Sequence, residues 1–268
     1  MGVLMMNESL RNVLRDFTFL WQFALDDFKA KYAGSILGAL WAFLQPMITI
    51  ALYWFIFQLG FKSQPVDNFP FILWLMAGLI PWFFLSEAVV NATSSLADYS
   101  YLVKKILFHI NILPLVKITS VLLVQFALVI FALICFSIGG YLPSLTYLQI
   151  PIYLVYMLIL AMGISYITAT LYVFFKDTLP VVSIITQIIF WLTPIVWTFE
   201  SMPNAITKVL VFNPIYYVIT GFRTAMVHRQ WGGFSLEMTV YYWCFALVLF
   251  WIGLRLFHRC KDHFADVL

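Results

Sequence analysis

Long segments without a single Asp, Glu, Lys or Arg constrain this chain more than any other feature. They occupy residues 32–61, 68–86, 118–175, 178–199 and 238–254. A helix needs about 20 predominantly apolar residues to cross the hydrocarbon core. Hydrocarbon offers the backbone no hydrogen bonds, so a continuous helix, which satisfies its own polar groups, is the natural solution. The run 118–175 is too long for one helix, and the turn-rich stretch Gly139-Gly140-Tyr141-Leu142-Pro143-Ser144 divides it into a hairpin. The expectation is an all-α integral membrane protein forming one domain over residues 1–268. Its six transmembrane helices fall at about 36–61, 69–90, 112–138, 150–174, 179–199 and 239–257. Composition agrees: 63% of residues are apolar and 10% charged, against about a quarter charged in a soluble domain.

Charge distribution sets the orientation. Six spans put both termini on one side, which holds Arg11, Arg15, Lys29, Lys31, Lys104, Lys105, Lys176, Arg255, Arg259 and Lys261. The other side holds Lys62, Lys208, Arg223 and Arg229. Basic residues concentrate in the cytoplasm, so both termini are expected there. Glu8, Arg11, Arg15 and Asp16 interrupt what a cleavable signal peptide would need as its apolar core. The net charge of +3 is too small and too dispersed for a nucleic-acid binder.

Three amphipathic regions lie outside the spans. Over residues 8–30, Leu10, Val13, Leu14, Phe17, Leu20, Trp21, Leu25 and Phe28 form one apolar stripe, predicting a helix flat in the cytoplasmic interface. Over about 92–110, Leu96, Tyr99, Leu102, Val103, Ile106 and Leu107 repeat at helical spacing beside Lys104 and Lys105, which suits docking to a soluble partner. Residues 203–212 and 215–229 read as two short re-entrant helices broken at Asn213-Pro214, a small outer cap being the alternative.

Catalytic equipment is missing from the pattern. No Gly is followed by Lys, so the phosphate loop of an ATPase is absent. The four His residues are scattered, and Cys135, Cys244 and Cys260 share no metal-ligand spacing, so no metal site is expected. Only Glu87 and Lys117 approach the span interiors, and interfacial or structural pairing accounts for both. Either a partner supplies energy or the protein is passive. Gln45, Gln58, Gln125 and Gln187 are the span residues most in need of hydrogen-bond partners. Pro46, Pro81 and Pro194 each fall within an expected span, and Gly34…Gly38 has small-residue packing spacing at the edge of the first.

Residues 31–46, reading KYAGSILGALWAFLQP, resemble the start of the first span in permease subunits of type-2 ATP-binding-cassette exporters for polysaccharides. Leu102-Val103-Lys104-Lys105-Ile106-Leu107-Phe108 with Ile112-Leu113-Pro114 is similar to the coupling helix of that family. Phe212-Asn213-Pro214 with Ile215-Tyr216-Tyr217 is similar to its outer re-entrant segment. His109-Ile110-Asn111 departs from the pattern, since many relatives carry Pro there. The resemblance implies a homodimer in the bacterial cytoplasmic membrane, bathed in lipid, with a channel between the copies. It implies two copies of a separate ATPase that bind ATP and Mg, this chain carrying no cofactor. The implied cargo is a polysaccharide such as O-antigen or teichoic acid, linked to a polyprenyl diphosphate. In those terms Trp41, Tyr53, Trp74 and Trp191 are candidates for the channel, and Tyr99, Leu102, Lys104, Lys105 and Leu107 for ATPase coupling. Asn213, Pro214, Tyr216 and Tyr217 are candidates for the exit. An exporter of a drug or lipid is the alternative, followed by an ATPase-independent carrier.

Overall fold

The computed structural model describes residues 2–62, 69–105, 109–199 and 202–268, with side chains from Phe17 onward. Among the described residues the architecture is helical. A long helix α1 (Gly2–Tyr32) leads through a short loop into α2 (Trp41–Trp54), which a 3-10 turn precedes and a π-helical segment, Phe55–Gly60, extends. Then come α3 (Phe71–Asp98), the single turn α4 (Ser100–Val103), α5 (Ile112–Ile138) and α6 (Ile150–Phe174). The chain closes with α7 (Thr178–Leu192), α8 (Asn204–Leu210), α9 (Pro214–Arg223), α10 (Leu236–Cys260) and α11 (Phe264–Val267).

The first half of α3, residues 71–85, is apolar all round, and that decides its place. A helix without a polar face is stable when neighbours surround it, and α3 is the central pillar, packed by α2, α5, α6, α7 and α9. Leu75, Ala77 and Leu79 are wholly buried. On the outer flank α10 lies against α6 where Gly163 and Gly253 meet. A Cβ on Gly253 would come within 2.6 Å of the Gly163 carbonyl oxygen, so only small residues permit this crossing.

Among the described residues, five helical runs are long and apolar enough to cross a membrane, Gly38–Gly60, Phe71–Asp98, Ile112–Ile138, Leu145–Phe174 and Leu236–Val267. The expected span 179–199 is the exception. Its helix, α7, has 15 residues and reaches only about 22 Å, short of the roughly 30 Å hydrocarbon core. Pro194 lies beyond the helix and ends it instead of kinking it. The residue before a proline is driven out of the helical region, and Thr193 sits at φ −94°, ψ 136°. Pro46 and Pro81 do stay inside α2 and α3.

Two further expectations change. Residues 92–110 do not form one helix: α3 runs on to Asp98, Tyr99 breaks it, and α4 adds one turn. Leu107 lies outside the described residues. Gly34 and Gly38 do not pack helices together. Both have positive φ (82° and 51°), and a Cβ on either would meet nothing within 4 Å. They turn the chain from α1 into α2, a geometry that glycine adopts without steric cost. Two short helices do stand on either side of Asn213-Pro214, where α8 and the helix through His228 are bent by 98°.

Candidate functional site

Three stripes of side chains converge on one groove. On α2, Gln45, Thr49 and Tyr53 recur every four residues and therefore share a face. On α3, Phe83, Ser86, Glu87 and Asn91 line the opposite wall, and on α7, Ser183, Thr186, Gln187 and Phe190 close the back. The groove comprises two cavities of about 370 and 350 Å³ that share Thr49, Phe83 and Ser86. One opens at the α1 end beside Lys31 and Tyr32; the other runs deeper to Tyr53, Trp82 and Trp191.

Its hydroxyls are already committed as donors. Thr49 donates to the Gln45 carbonyl (2.9 Å), Ser86 to the Trp82 carbonyl (2.9 Å) and Thr186 to the Val182 carbonyl (2.7 Å). Each hydroxyl oxygen keeps a free lone pair for an incoming donor. Tyr53 and Phe190 stack at 5.8 Å and 20°, and Trp191 meets the Phe190 ring edge-on at 5.2 Å. The groove therefore offers acceptors and flat apolar rings, with ionised groups only at its α1 end. That chemistry suits a polyhydroxylated ligand, whose hydroxyls donate and whose ring faces are apolar.

Tyr53 and Trp191, two of the four aromatic channel candidates, lie in this groove. Trp41 is exposed on α2 outside it. Trp74 is 3% exposed and serves another purpose, for the Arg223 guanidinium lies 3.5 Å from its ring centroid. That buried guanidinium donates to the Pro194 and Ile195 carbonyls, in the irregular segment that follows α7. Gly78 leaves the necessary room, since a Cβ there would lie 2.6 Å from the guanidinium. Sequence reading took Arg223 for an outer basic residue and missed this clamp.

Asn213 caps α9. Its Oδ1 accepts from the Ile215 amide (3.0 Å), and its Nδ2 donates to the Thr193 hydroxyl (2.7 Å). Pro214 occupies the first turn of α9, where its missing N–H costs nothing. Tyr217 is buried against Tyr153, Tyr156 and Tyr242, while Tyr216 rests against Phe199 and Phe234.

At the α1 end the coupling candidates split. Tyr99 points inward: its hydroxyl donates to Asp27 of α1, and its ring lies 5.0 Å beneath the Lys117 ammonium. Lys117 bridges Asp27 (2.8 Å) and Asp98 (3.2 Å), so one cation ties α1, α3 and α5 together. Burial, then the hydrogen bond and charge of Asp27, hold the Tyr99 phenol well above its ordinary pKa. Leu102 packs beneath the same cluster, whereas Tyr101, Lys104 and Lys105 are exposed. Of the flagged glutamines, Gln45 and Gln187 line the groove, and Gln125 is buried with no partner for its amide among the described residues. The four-residue spacing of Gln45, Thr49 and Tyr53 was the available signal for the groove.

A multi-pass helical membrane protein with a polar-floored groove is the class that these features define. Residues 18–227 match the ABC-2 type transporter family, and the chain belongs to it. It is 30% identical over 244 residues to the O-antigen export system permease protein RfbA of Klebsiella pneumoniae, covering 90% of this chain and 92% of that one. A Myxococcus xanthus protein of the same name is 26% identical over 243 residues (90% and 91% covered). The polysialic acid transport protein KpsM of Escherichia coli is 24% identical over 249 residues (89% and 92% covered).

Proposed function

We propose that this chain is the membrane-spanning subunit of an ATP-driven exporter that moves a lipid-linked polysaccharide, such as O-antigen or teichoic acid, out of the cytoplasm. The observation that carries the reading is the groove between α2, α3 and α7, with hydroxyl acceptors on its floor and Tyr53, Phe190 and Trp191 on its wall. Near-full-length similarity to permeases named for O-antigen export and polysialic acid transport supports it. In this reading two copies face one another and two half-grooves make the channel. The α1 end faces the cytoplasm, in the bacterial cytoplasmic membrane. With no phosphate loop in the sequence, ATP and Mg bind a separate ATPase, two copies of which dock against that end. Among the described residues of the expected coupling segment, Asp98, Tyr101, Lys104, Lys105 and His109 are exposed.

The groove's task is permissive passage. Stacking on an aromatic ring holds a pyranose face without fixing its register, and acceptor oxygens exchange one hydroxyl for the next. The test is surface glycan in a strain that depends on this subunit. Tyr53→Ala and Trp191→Ala should each lower export by about tenfold, in line with the 1–3 kcal/mol of a lost stacking contact, at unchanged membrane abundance. Wild-type export from the double variant would refute the groove as the path.

A further inference from the structure

The cavity at the α1 end carries a feature that passage of a neutral chain does not require. Lys31, in the last turn of α1, spans the mouth of the groove and pairs with Glu87 of α3. Glu87 also accepts from the Asn91 amide at 3.5 Å. Lys31 lies 5.5 Å from the Tyr32 ring centroid, and its side chain keeps 39% of its exposure. Gln45, Thr49 and Ser86 complete the polar wall. The cavity of about 370 Å³ falls within the roughly 300–1,000 Å³ usual for small-ligand sites.

We propose that this cavity binds the phosphate-bearing headgroup of a lipid, with Lys31 as its cationic ligand and Glu87 holding that ammonium until the headgroup replaces it. The inference rests on the reading of the groove as a path for a lipid-linked glycan, and adds where the anionic end of such a cargo is held.

Four observations converge. The ammonium is already drawn into the cavity, so an anion finds it preorganised. Burial alone lowers the Lys31 pKa, but the charge and hydrogen bond of Glu87 outweigh it and the net shift is upward, so the cation persists. Lys31 adjoins the turn at Gly34, just before the helical run Gly38–Gly60 that is long and apolar enough to cross a membrane, and so stands where a headgroup would meet it. The remaining lining groups include the Asn91 and Gln45 amides, which donate to phosphate oxygens. Once displaced, Glu87 keeps its Asn91 contact and repels the anion. The lysine therefore holds a phosphate firmly enough to select it and loosely enough to release it. The pair selects for charge, because a neutral lipid cannot compete with a carboxylate for an ammonium.

The test uses the full-length protein in nanodiscs of neutral phosphatidylcholine. The probes are farnesyl diphosphate, farnesol, inorganic diphosphate and phosphatidylglycerol, with binding read by native mass spectrometry and titration. Wild type should bind farnesyl diphosphate and not farnesol. Glu87→Gln should tighten that binding by at least about tenfold, and Lys31→Gln should abolish it, the scale of a lost charge-assisted hydrogen bond. A swapped pair, Lys31→Glu with Glu87→Lys, restores the bridge and controls for folding; it should bind more weakly than wild type because the cation now sits on α3. Competition by inorganic diphosphate marks a headgroup site of prenyl-diphosphate type, and competition by phosphatidylglycerol marks a phospholipid headgroup; either supports the site. Equal binding by wild type, Lys31→Gln and Glu87→Gln overturns it. Export of glycan by Lys31→Gln at wild-type rate would overturn the inference while leaving the groove intact. Lys31-dependent binding in a protein whose Tyr53 and Trp191 variants export normally would sink the groove alone.

Discussion

Arg223 shows what a single side chain can do in an apolar helical core. A guanidinium cannot shed its charge, so burial has to be offset locally. Here two carbonyls from the irregular segment after α7, a tryptophan face and the space over Gly78 share that task. Lysine cannot reproduce the forked geometry. Arg223→Lys and Arg223→Met should both lower stability in detergent by roughly 2–4 kcal/mol, the scale of two hydrogen bonds to a charged group. Gly78→Ala should weaken the protein through the same clamp, and combining it with Arg223→Met should cost much less than the sum. Strict additivity in a thermal-melting cycle would mean that the two residues act separately. Nothing in the sequence around Arg223 announces this role, because its partners lie about 30 positions upstream as backbone carbonyls. Trp74 was legible as an aromatic of the second span but not as a lid on a cation, for the same reason. Tyr53, Thr49 and Gln45 were legible in principle, since spacing along one helix suffices to align them.

At the scale of elements, helix existence followed from charge-free runs, while helix ends followed from local chemistry that apolarity does not report. Thr193-Pro194 shortens α7, and Tyr99 separates α3 from α4. The expected helix 92–110 was an amphipathic pattern shared between two elements, and its inward stripe packs on α5, α6, α10 and α11, with Tyr99 against Phe23 of α1. The Lys117–Asp27–Asp98 cluster with Tyr99 holds α1 to the ends of α3 and α5. Its pH dependence can be worked out. The raised folded-state pKa of Tyr99 means that its contribution is complete below the unfolded tyrosine value of about 10 and is lost as pH rises through the folded value. Tyr99→Phe should cost about 1.5 kcal/mol at pH 7, and the difference from wild type should narrow above about pH 10. A gap that stays constant to pH 11 or widens would show that the hydroxyl does not report on Asp27. Lys117→Met leaves Asp27 buried beside the Tyr99 hydroxyl without a cation and should cost about 3 kcal/mol, partly recovered by Asp27→Asn.

The molecule as a whole is built asymmetrically around α3. One flank, α5, α6 and α10, seals the pillar; the other, α2 and α7, is left thinly covered. Only 17% of the apolar window in the run Gly38–Gly60 is buried within the chain, against 78% for α3. Ile48 and Leu52 on α2 and Phe55 and Leu59 on its π-helical extension stand exposed at alternating intervals of four and three, a spacing with which one helix seats against another. Lipid covers such a stripe as well as protein does, so exposure alone decides nothing. The groove does: its polar floor would face hydrocarbon in an isolated chain, where unsatisfied acceptors are costly. In the proposed homodimer, a second copy placed across α2 and α7 would enclose that floor, and a copy placed against α10 would not. Leu52→Cys, in a background with Cys135, Cys244 and Cys260 replaced by Ser, should therefore cross-link between copies in native membranes. Ile252→Cys, exposed on α10, should not. Cross-linking through residue 252 with none through residue 52, in a complex that still exports, would move the dimer to the opposite flank and leave the groove to a different partner.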